Sequence, residues 1–358
     1  MDNSSLNRSR KETFFLTLLL ITGRITTNHI LLHTKSSGTG APISALISGI
    51  FAALIITFLS FKFTGRKKRN IPALTESIFG KCGKFILSAF LLIAIFLSSV
   101  YLLTETVQFM KLTAFPTTPV WFIAMFFVLG AFMGAVNGSG TIFKVSVIIV
   151  SSFVLSLIIL AISVLCRSNP TNLFPLLGNS VPNLFKGGFS GISLYGDIVL
   201  LFMLKPEHTA KKSSRITIIF ASILGILVNV LITIAYTAKI PYPISASEQF
   251  PLYLLLKEVQ FGRFFQRMDS LFLLSSALNI MLSLALNLYI LSDIFRQTFK
   301  IQTRKVTLLP LSLLLFFVAI FPQASYATTV FVLSAILLGI FILIALFTRK
   351  EVSTPNER

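Results

Sequence analysis

Three ionisable residues, Arg24, Glu105 and Asp197, lie inside long apolar stretches of this sequence. A charge at the centre of a membrane helix costs about 2.5–3.5 kcal/mol on insertion scales, so such residues usually face a protein interior or a pathway. Arg24 could hold a carboxylate with its planar fork of donors, and Asp197 could hold an amino group. Glu105 lies near the end of its stretch, where snorkelling to water is the favoured explanation.

Two segments that weaken helices surround Arg24 and Asp197. The first runs from Thr22 to Thr27, and the second, from Gly187 to Asp197, contains four glycines. Unwound backbone there would expose amide and carbonyl groups to a ligand, and the half-helix dipoles would add charge stabilisation. The alternative is close helix packing, because Gly187 and Gly191 have small-xxx-small spacing. The predicted ligand-binding residues are Thr22, Gly23, Arg24, Thr26, Tyr101, Glu105, Phe189, Gly191, Ser193, Tyr195 and Asp197.

Two arrangements of Arg24 and Asp197 fit the sequence. The residues could form a buried ion pair that holds the two weakened segments in register, or each could face a ligand separately. We favour the ligand contacts and predict that a charge swap does not rescue function.

The sequence has no pattern of an enzyme: it contains no P-loop, no G-x-S-x-G elbow and no paired carboxylates on one predicted helix. Its three histidines and two cysteines lack metal-ligand spacing, so we predict neither a metal site nor a cofactor. The net charge of +19 comes from short loops beside apolar stretches, which argues against nucleic acid as a partner.

The composition indicates that membrane lipid is the solvent. The chain is 54% hydrophobic and 12% charged, with a mean hydropathy of +0.86. Its apolar runs have the length of membrane helices, about 20 residues. The predicted fold is an all-α polytopic membrane protein with about ten spans, at residues 13–33, 41–61, 85–108, 119–136, 145–165, 188–204, 216–238, 270–291, 307–322 and 328–347.

The positions of the weakened segments, in spans one and six, are those of the discontinuous helices in a 5+5 inverted repeat. We therefore expect one transmembrane domain at 13–347, with repeats near 13–165 and 188–347 and short tails at 1–12 and 348–358. The segment 239–269 is expected to carry an amphipathic helix on the outer surface, or else a loop packed on the spans.

The distribution of Lys and Arg predicts the orientation. Under this topology, 22 of the 31 Lys and Arg residues lie on the side that holds both termini, and eight lie on the opposite side. Because positive residues favour the cytoplasmic face, both termini are predicted to be cytoplasmic.

Several motifs, in order along nearly the whole chain, resemble the B-subunit permeases of bacterial spore germination receptors, the GerAB type. They are ESIFGK at 76–81, ETV at 105–107 followed by PTTP at 116–119, NLFPLLG at 172–178 followed by KGGF at 186–189, and FPL at 250–252 followed by GRFFQRMDSLF at 262–272. The sequence departs from the family where Arg24, Gly140, Lys144, Asp269 and Ser276-Ala277 stand in place of its usual residues.

The resemblance implies the fold of the amino acid–polyamine–organocation transporters. It also implies a place in the inner membrane of a spore, with a larger A subunit and a lipoprotein C subunit as partners. Such a subunit would bind a small nutrient germinant, such as an amino acid, in a cavity near the membrane midplane. The alternative is an autonomous secondary transporter of amino acids or related organic cations, because one fold serves both functions.

Overall fold

The structure is a computed structural model that describes residues 3–26, 29–63, 71–204, 212–248, 250–258, 268–299, 301, 303–320, 332, 334–340 and 342. The described part is helical throughout, apart from turns and short connections. Six helical stretches in this part are long and apolar enough to cross a membrane, and the apolar helices at Val120–Val136 and Val306–Ile320 are shorter.

The first predicted span is broken, as expected from Gly23 and the polar residues around it. Helix α1 covers Asn3–Thr22, a turn occupies residues 23–26, and α2 covers His29–Ser37. The turn keeps few backbone hydrogen bonds: the Gly23 amide donates to the Leu19 carbonyl at 2.9 Å, and the Ile25 amide donates to Thr22 at 3.1 Å. In a continuous helix, the backbone N–H and C=O groups of these residues would bond to each other. In the turn, some of them are open to other hydrogen-bond partners.

Four long helices follow the first broken span. They are α3 at Ala41–Phe63, α4 at Ile71–Thr113, α5 at Val120–Val136 and α6 at Ser139–Leu165. The backbone of α4 bends at Gly80, whose φ of +70° is favourable only for glycine, so the apolar span begins there.

The sixth predicted span is also broken, but the break is shorter than the sequence suggested. Helix α7 covers Val181–Gly191, a 3-10 segment covers Ile192–Ile198, and α8 covers Val199–Met203. The expectation that residues 187–191 are unwound is wrong, because Gly187 and Gly188 lie within α7. A Cβ atom on Gly187 would lie 2.7 Å from the Ser44 hydroxyl oxygen, so these glycines allow α7 to approach α2 and α3 closely.

The second half of the chain contains two long helices and several short ones. They are α9 at Lys212–Lys239, α10 at Ile244–Ser247, α11 at Pro251–Glu258, α12 at Met268–Phe299 and α13 at Arg304–Ile320. Helix α11 is the helix expected within the segment 239–269; its Leu252 and Leu255 are buried, and the helix packs on α6 and α9. The tenth predicted span, 328–347, lies mostly outside the described residues, although 334–340 are helical.

Packing places both breaks in the centre of the helix bundle. Helix α1 packs on α6 and α9 and contacts the 3-10 segment, while α12 packs on α4, α5 and α6. Apolar side chains such as Ile86, Ile148 and Ile216 are exposed on the outside of the bundle, as expected for a surface that faces lipid. Polar side chains, in contrast, gather inside around the two breaks.

Candidate functional site

An ion pair between Arg24 and Asp197 joins the two breaks. The Arg24 Nε donates to Asp197 Oδ2 at 2.8 Å, and Nη2 donates to Oδ1 at 2.9 Å. The two side chains are only 5% and 19% exposed. The structure thus shows the ion pair, and our preference for two separate ligand contacts is wrong for this arrangement of the helices. A bidentate pair of this kind fixes both distance and orientation between the breaks.

Helix α4 presents a polar face to this ion pair. The Arg24 Nη2 also donates to the Ser98 hydroxyl oxygen at 2.7 Å, and that hydroxyl lies 3.5 Å from Asp197 Oδ1. Tyr101, one turn further along α4, is buried and close enough to Arg24 for an electrostatic interaction. Glu105 follows one turn later and is half-buried. Tyr101 therefore lies in the cluster, and Glu105 lies at its edge.

The remaining predicted residues of the first break hold its turn in place. Thr22 donates its hydroxyl to the Leu18 carbonyl at 2.8 Å, and Thr26 donates to the Gly23 carbonyl at 3.5 Å. Both threonines are buried. A Cβ atom on Gly23 would lie 2.8 Å from the Leu19 carbonyl oxygen, so this position requires glycine for close approach.

The second break contributes Ser193 and Tyr195. Ser193 donates to the Ser190 carbonyl at 2.7 Å, which supports the change from α7 to the 3-10 segment. The Tyr195 hydroxyl lies 3.2 Å from His29 Nε2, and both side chains are buried. His29 at the start of α2 and Tyr195 in the 3-10 segment form a second link between the broken spans.

Two predicted residues of the sixth span lie apart from the cluster. Phe189 is 54% exposed and packs on Phe51 at a ring-centroid distance of 5.1 Å, so it belongs to the outer surface. Gly191 has a helical backbone, and a Cβ atom there would lie 2.5 Å from His33 Cε1. The packing explanation that the glycine spacing allowed is therefore the one the structure shows for Gly191.

Helix α12 contributes polar residues that the sequence analysis missed. These residues follow one another at intervals of three or four positions, which puts them on one face of α12. Such spacing is visible in the sequence. Ser283 lies 3.4 Å from the Cβ position of Gly23, so this face looks toward the first break. Asn279 is fully buried, and in the described part of the chain neither its amide nitrogen nor its oxygen has a hydrogen-bond partner. The face consists of Ser276, Asn279, Ser283 and Asn287.

The cavity beside the ion pair is small. It has a volume of about 10 Å³, room for roughly one water, and Ser98, Asp197 and Ser334 contribute to its lining. A larger cavity of about 530 Å³ lies between α4, α5 and α12, but its lining is mainly apolar and includes none of the predicted site residues. Among the residues that the structure describes, the breaks are thus closed around the ion pair.

Charged and hydrogen-bonding side chains converge at the two breaks, where they could bind a polar ligand. Among the residues that the structure describes, no group of three His, Cys, Asp or Glu side chains could hold a metal ion. The polar groups are instead paired across the two breaks or directed toward them.

The comparisons with known families agree with this architecture. The spore permease family, described as "Spore germination protein", matches residues 9–328. The chain belongs to this family. No curated protein sequence matches this spore permease.

The fold of this chain is shared with two solved structures. It is similar to MhsT, whose structure was solved in complex with L-phenylalanine, with a TM-score of 0.71, 13% identity, and coverage of 93% of this chain and 87% of MhsT. It is also similar to Mhp1, a nucleobase-cation-symport-1 family transporter whose structure was solved in a closed conformation with bromovinylhydantoin bound. The TM-score is 0.64 and the identity is 14%, and the match covers 93% of this chain and 77% of Mhp1. The spore permease therefore has the 5+5 inverted repeat with discontinuous first and sixth helices.

Proposed function

We propose that this chain is the nutrient-binding permease subunit of a spore germination receptor, and that it binds an amino acid between the two breaks. The observation that carries the proposal is the ion pair of Arg24 and Asp197, which places a guanidinium and a carboxylate side by side at discontinuous helices. An amino acid carries the same two charges and can exchange partners with the pair.

Charge exchange gives a physical route from binding to signalling. A ligand carboxylate would replace Asp197 as the partner of Arg24, and a ligand ammonium would replace Arg24 as the partner of Asp197. The cavity of about 10 Å³ cannot hold an amino acid, so the ligand must separate the breaks. Binding is then coupled to a movement of the first and sixth spans, which partner subunits can detect.

Asn279 supplies an uncharged contact in this proposal. A buried amide without partners carries a desolvation cost of about 1–3 kcal/mol, which a ligand that bonds to it would remove. Because Ser283 on the same face of α12 approaches Gly23, separation of the breaks would bring the ligand against this face.

Partners and location follow from the resemblance to germination receptors. We propose that a larger A subunit and a lipoprotein C subunit complete the receptor in the inner membrane of a spore, with both termini of this chain in the cytoplasm. The membership in the spore permease family supports this assignment.

The germination response tests the proposal. Spores that lack this gene, complemented with wild-type or Ser98→Ala chain, are exposed to single amino acids, and germination is followed by loss of refractility. Ser98 binds both members of the ion pair, so its variant should shift the dose response without abolishing it. Ser163, whose hydroxyl is satisfied by the Ile159 carbonyl on an exposed face, offers a matched Ser163→Ala control. A wild-type chain that restores no response to any amino acid would overturn the proposal.

A secondary transporter is the alternative function, favoured by the fold that the chain shares with Mhp1, which is a transporter. The two functions differ in net flux. Reconstituted alone in liposomes, a transporter accumulates labelled amino acid along an ion gradient, whereas a receptor subunit binds it without accumulation.

A further inference from the structure

Two buried histidines lie on α2, directly after the first break. His29 and His33 are one turn apart on α2, are at most 1% exposed, and have ring centroids 5.0 Å apart. Two charged imidazoles at this separation inside a protein would repel each other strongly. The pair can therefore carry no more than one additional proton.

The hydrogen bonds of His33 are satisfied by a neutral ring. The Ser48 hydroxyl donates to the Ala45 carbonyl at 2.8 Å, so it accepts from His33 Nε2, which lies 3.5 Å away. The Ser44 hydroxyl lies 2.8 Å from His33 Nδ1 and is then its donor. His33 thus holds one proton on Nε2 and has no open position for a second.

His29 has an open position. Its Nε2 bonds to the Tyr195 hydroxyl, but its buried Nδ1 has no hydrogen-bond partner among the residues that the structure describes. A ring nitrogen in this state can accept a proton, or donate one, without breaking an existing bond.

Asn229 on α9 lies beside the bond between His29 and Tyr195. Its amide nitrogen donates to the Ile21 carbonyl at 3.2 Å, next to the first break, while its buried Oδ1 has no partner in the described part of the chain. The Asn229 and Ser48 side chains both lie close to the Tyr195 hydroxyl. The Asn229 side chain therefore lies between the end of α1 and the hydroxyl group that bonds to His29.

The packing around the rings leaves little space. The Cβ position of Gly191 is 2.5 Å from His33 Cε1, so not even a methyl group fits there without movement. A proton can bind to one of these rings without a cavity, whereas a larger ligand cannot.

We propose that His29 is a proton-binding site that couples proton uptake to the hydrogen bonds between the two breaks. When His29 is doubly protonated, Nε2 must donate, and the Tyr195 hydroxyl must accept. The hydroxyl hydrogen, which a neutral His29 Nε2 can accept, must then turn away from that ring. Proton uptake thereby reverses the bond between α2 and the 3-10 segment, beside the Asn229 side chain that bonds to Ile21 at the end of α1. This property is additional to nutrient binding.

The groups that contact the two rings are uncharged: Tyr195, Ser44 and Ser48, with Asn229 beside the Tyr195 hydroxyl. Asp197 lies two residues beyond Tyr195, and its carboxylate is engaged by Arg24. The other titratable or charged side chains described on α2 and on the helices packed against it are Lys35, Lys62, Lys186, Arg215, Tyr236, Lys239, Tyr253 and Lys257. Tyr236 donates to the Ser245 carbonyl, Lys257 lies over the Tyr253 ring, and Arg215 lies over Phe61.

Imidazole nitrogen shifts test this proposal directly, because the chain has only three histidines. The full chain with labelled histidine, carrying His208→Gln to remove the third signal, is titrated in lipid nanodiscs from about pH 8 to about pH 4 without nutrient. We expect one span histidine to become doubly protonated and the other to remain neutral. Magnetisation transfer from a labelled tyrosine ring assigns the signal that titrates to His29, since Tyr195 bonds to that ring.

Two variants measure the coupling. Tyr195→Phe removes the acceptor for the charged ring and should move the His29 midpoint down by about one pH unit. Ser44→Ala removes a bond to His33 alone and should leave that midpoint in place. The proposal is overturned if neither ring titrates, if both titrate independently, or if the ring that titrates is His33. These three outcomes are read from the His208→Gln chain, in which both breaks are native, and they need no nutrient.

Discussion

At the scale of single residues, the ion pair of Arg24 and Asp197 determines how the breaks respond to mutation. Each charge is tolerated inside the bundle because the other is bonded to it at 2.8 Å. Removing one partner leaves the second buried and uncompensated. The two residues therefore behave as one unit in stability measurements.

The substitution Asp197→Asn should lower the free energy of unfolding of the purified chain by about 3 kcal/mol, because it leaves the Arg24 guanidinium without its carboxylate. Thermal unfolding in detergent measures the loss. Asp293→Asn is the comparison: Asp293 is 13% exposed, but its partner Arg296 is 30% exposed and can reach water, so the loss should be smaller than for Asp197→Asn. Equal losses in the two variants would contradict a structural role for the buried pair.

A charge swap distinguishes the role of Arg24 and Asp197 as an ion pair from their role in ligand binding. The double variant Arg24→Asp with Asp197→Arg should recover much of the stability that either single variant loses, because the two side chains can still bond to each other. The germination response should stay absent, because both charges would then oppose those of an amino acid. A swap that restores the response as well as the stability would show that the residues serve only each other.

The sequence identified the residues of the pair but could not show that they touch. Charges inside apolar stretches are visible in composition, and Gly23 marks a break through its backbone properties. Whether Arg24 reaches Asp197 depends on how two segments 173 residues apart pack, which no local pattern encodes. Asn279 was missed for a different reason: a polar residue every three or four positions is common in long helices, and only burial shows that its amide is unsatisfied.

At the scale of helices, close approach between α7 and the α2–α3 pair holds the second break in position. Gly191→Ala should place a methyl group against His33 and Ser48 and cost about 1–3 kcal/mol of unfolding free energy. Gly140→Ala is the control, because outside its own helix no atom of the described residues lies within 4 Å of its Cβ position. Unfolding midpoints of both variants measure the difference, and a Gly191→Ala chain as stable as Gly140→Ala would refute the close packing.

The same contact explains why the length of the second break could not be predicted. Glycines at 187, 188, 191 and 196 weaken an isolated helix, and the sequence alone favoured unwinding along the whole segment. In the structure, packing on α2 and α3 keeps the first three in helical backbone, and only Ile192–Ile198 adopts the tighter 3-10 form. Tertiary contacts override propensity here, while the breaks themselves were predicted in the right spans.

At the scale of the whole molecule, the orientation in the membrane remains a prediction from the Lys and Arg asymmetry. The chain offers a native test, since Cys82 and Cys166 are both free and exposed. With both termini cytoplasmic, Cys166 lies outside and Cys82 inside. A membrane-impermeant maleimide should label Cys166 in intact protoplasts and Cys82 only after permeabilisation. Labelling of Cys82 in intact protoplasts would reverse the topology.

The central claim is that an amino acid binds between the two breaks, and equilibrium binding to the purified full chain tests it most directly. A panel of labelled amino acids is screened on the wild-type chain, and the ligand found is then measured on Asn279→Leu, with Asn137→Leu at the exposed end of α5 as control. We predict at least a tenfold loss of affinity, about 1.4 kcal/mol, for Asn279→Leu alone, with its unfolding midpoint unchanged or raised because an unsatisfied buried amide is gone. Unchanged affinity in Asn279→Leu, or an absence of amino acid binding to the wild-type chain, would contradict the claim.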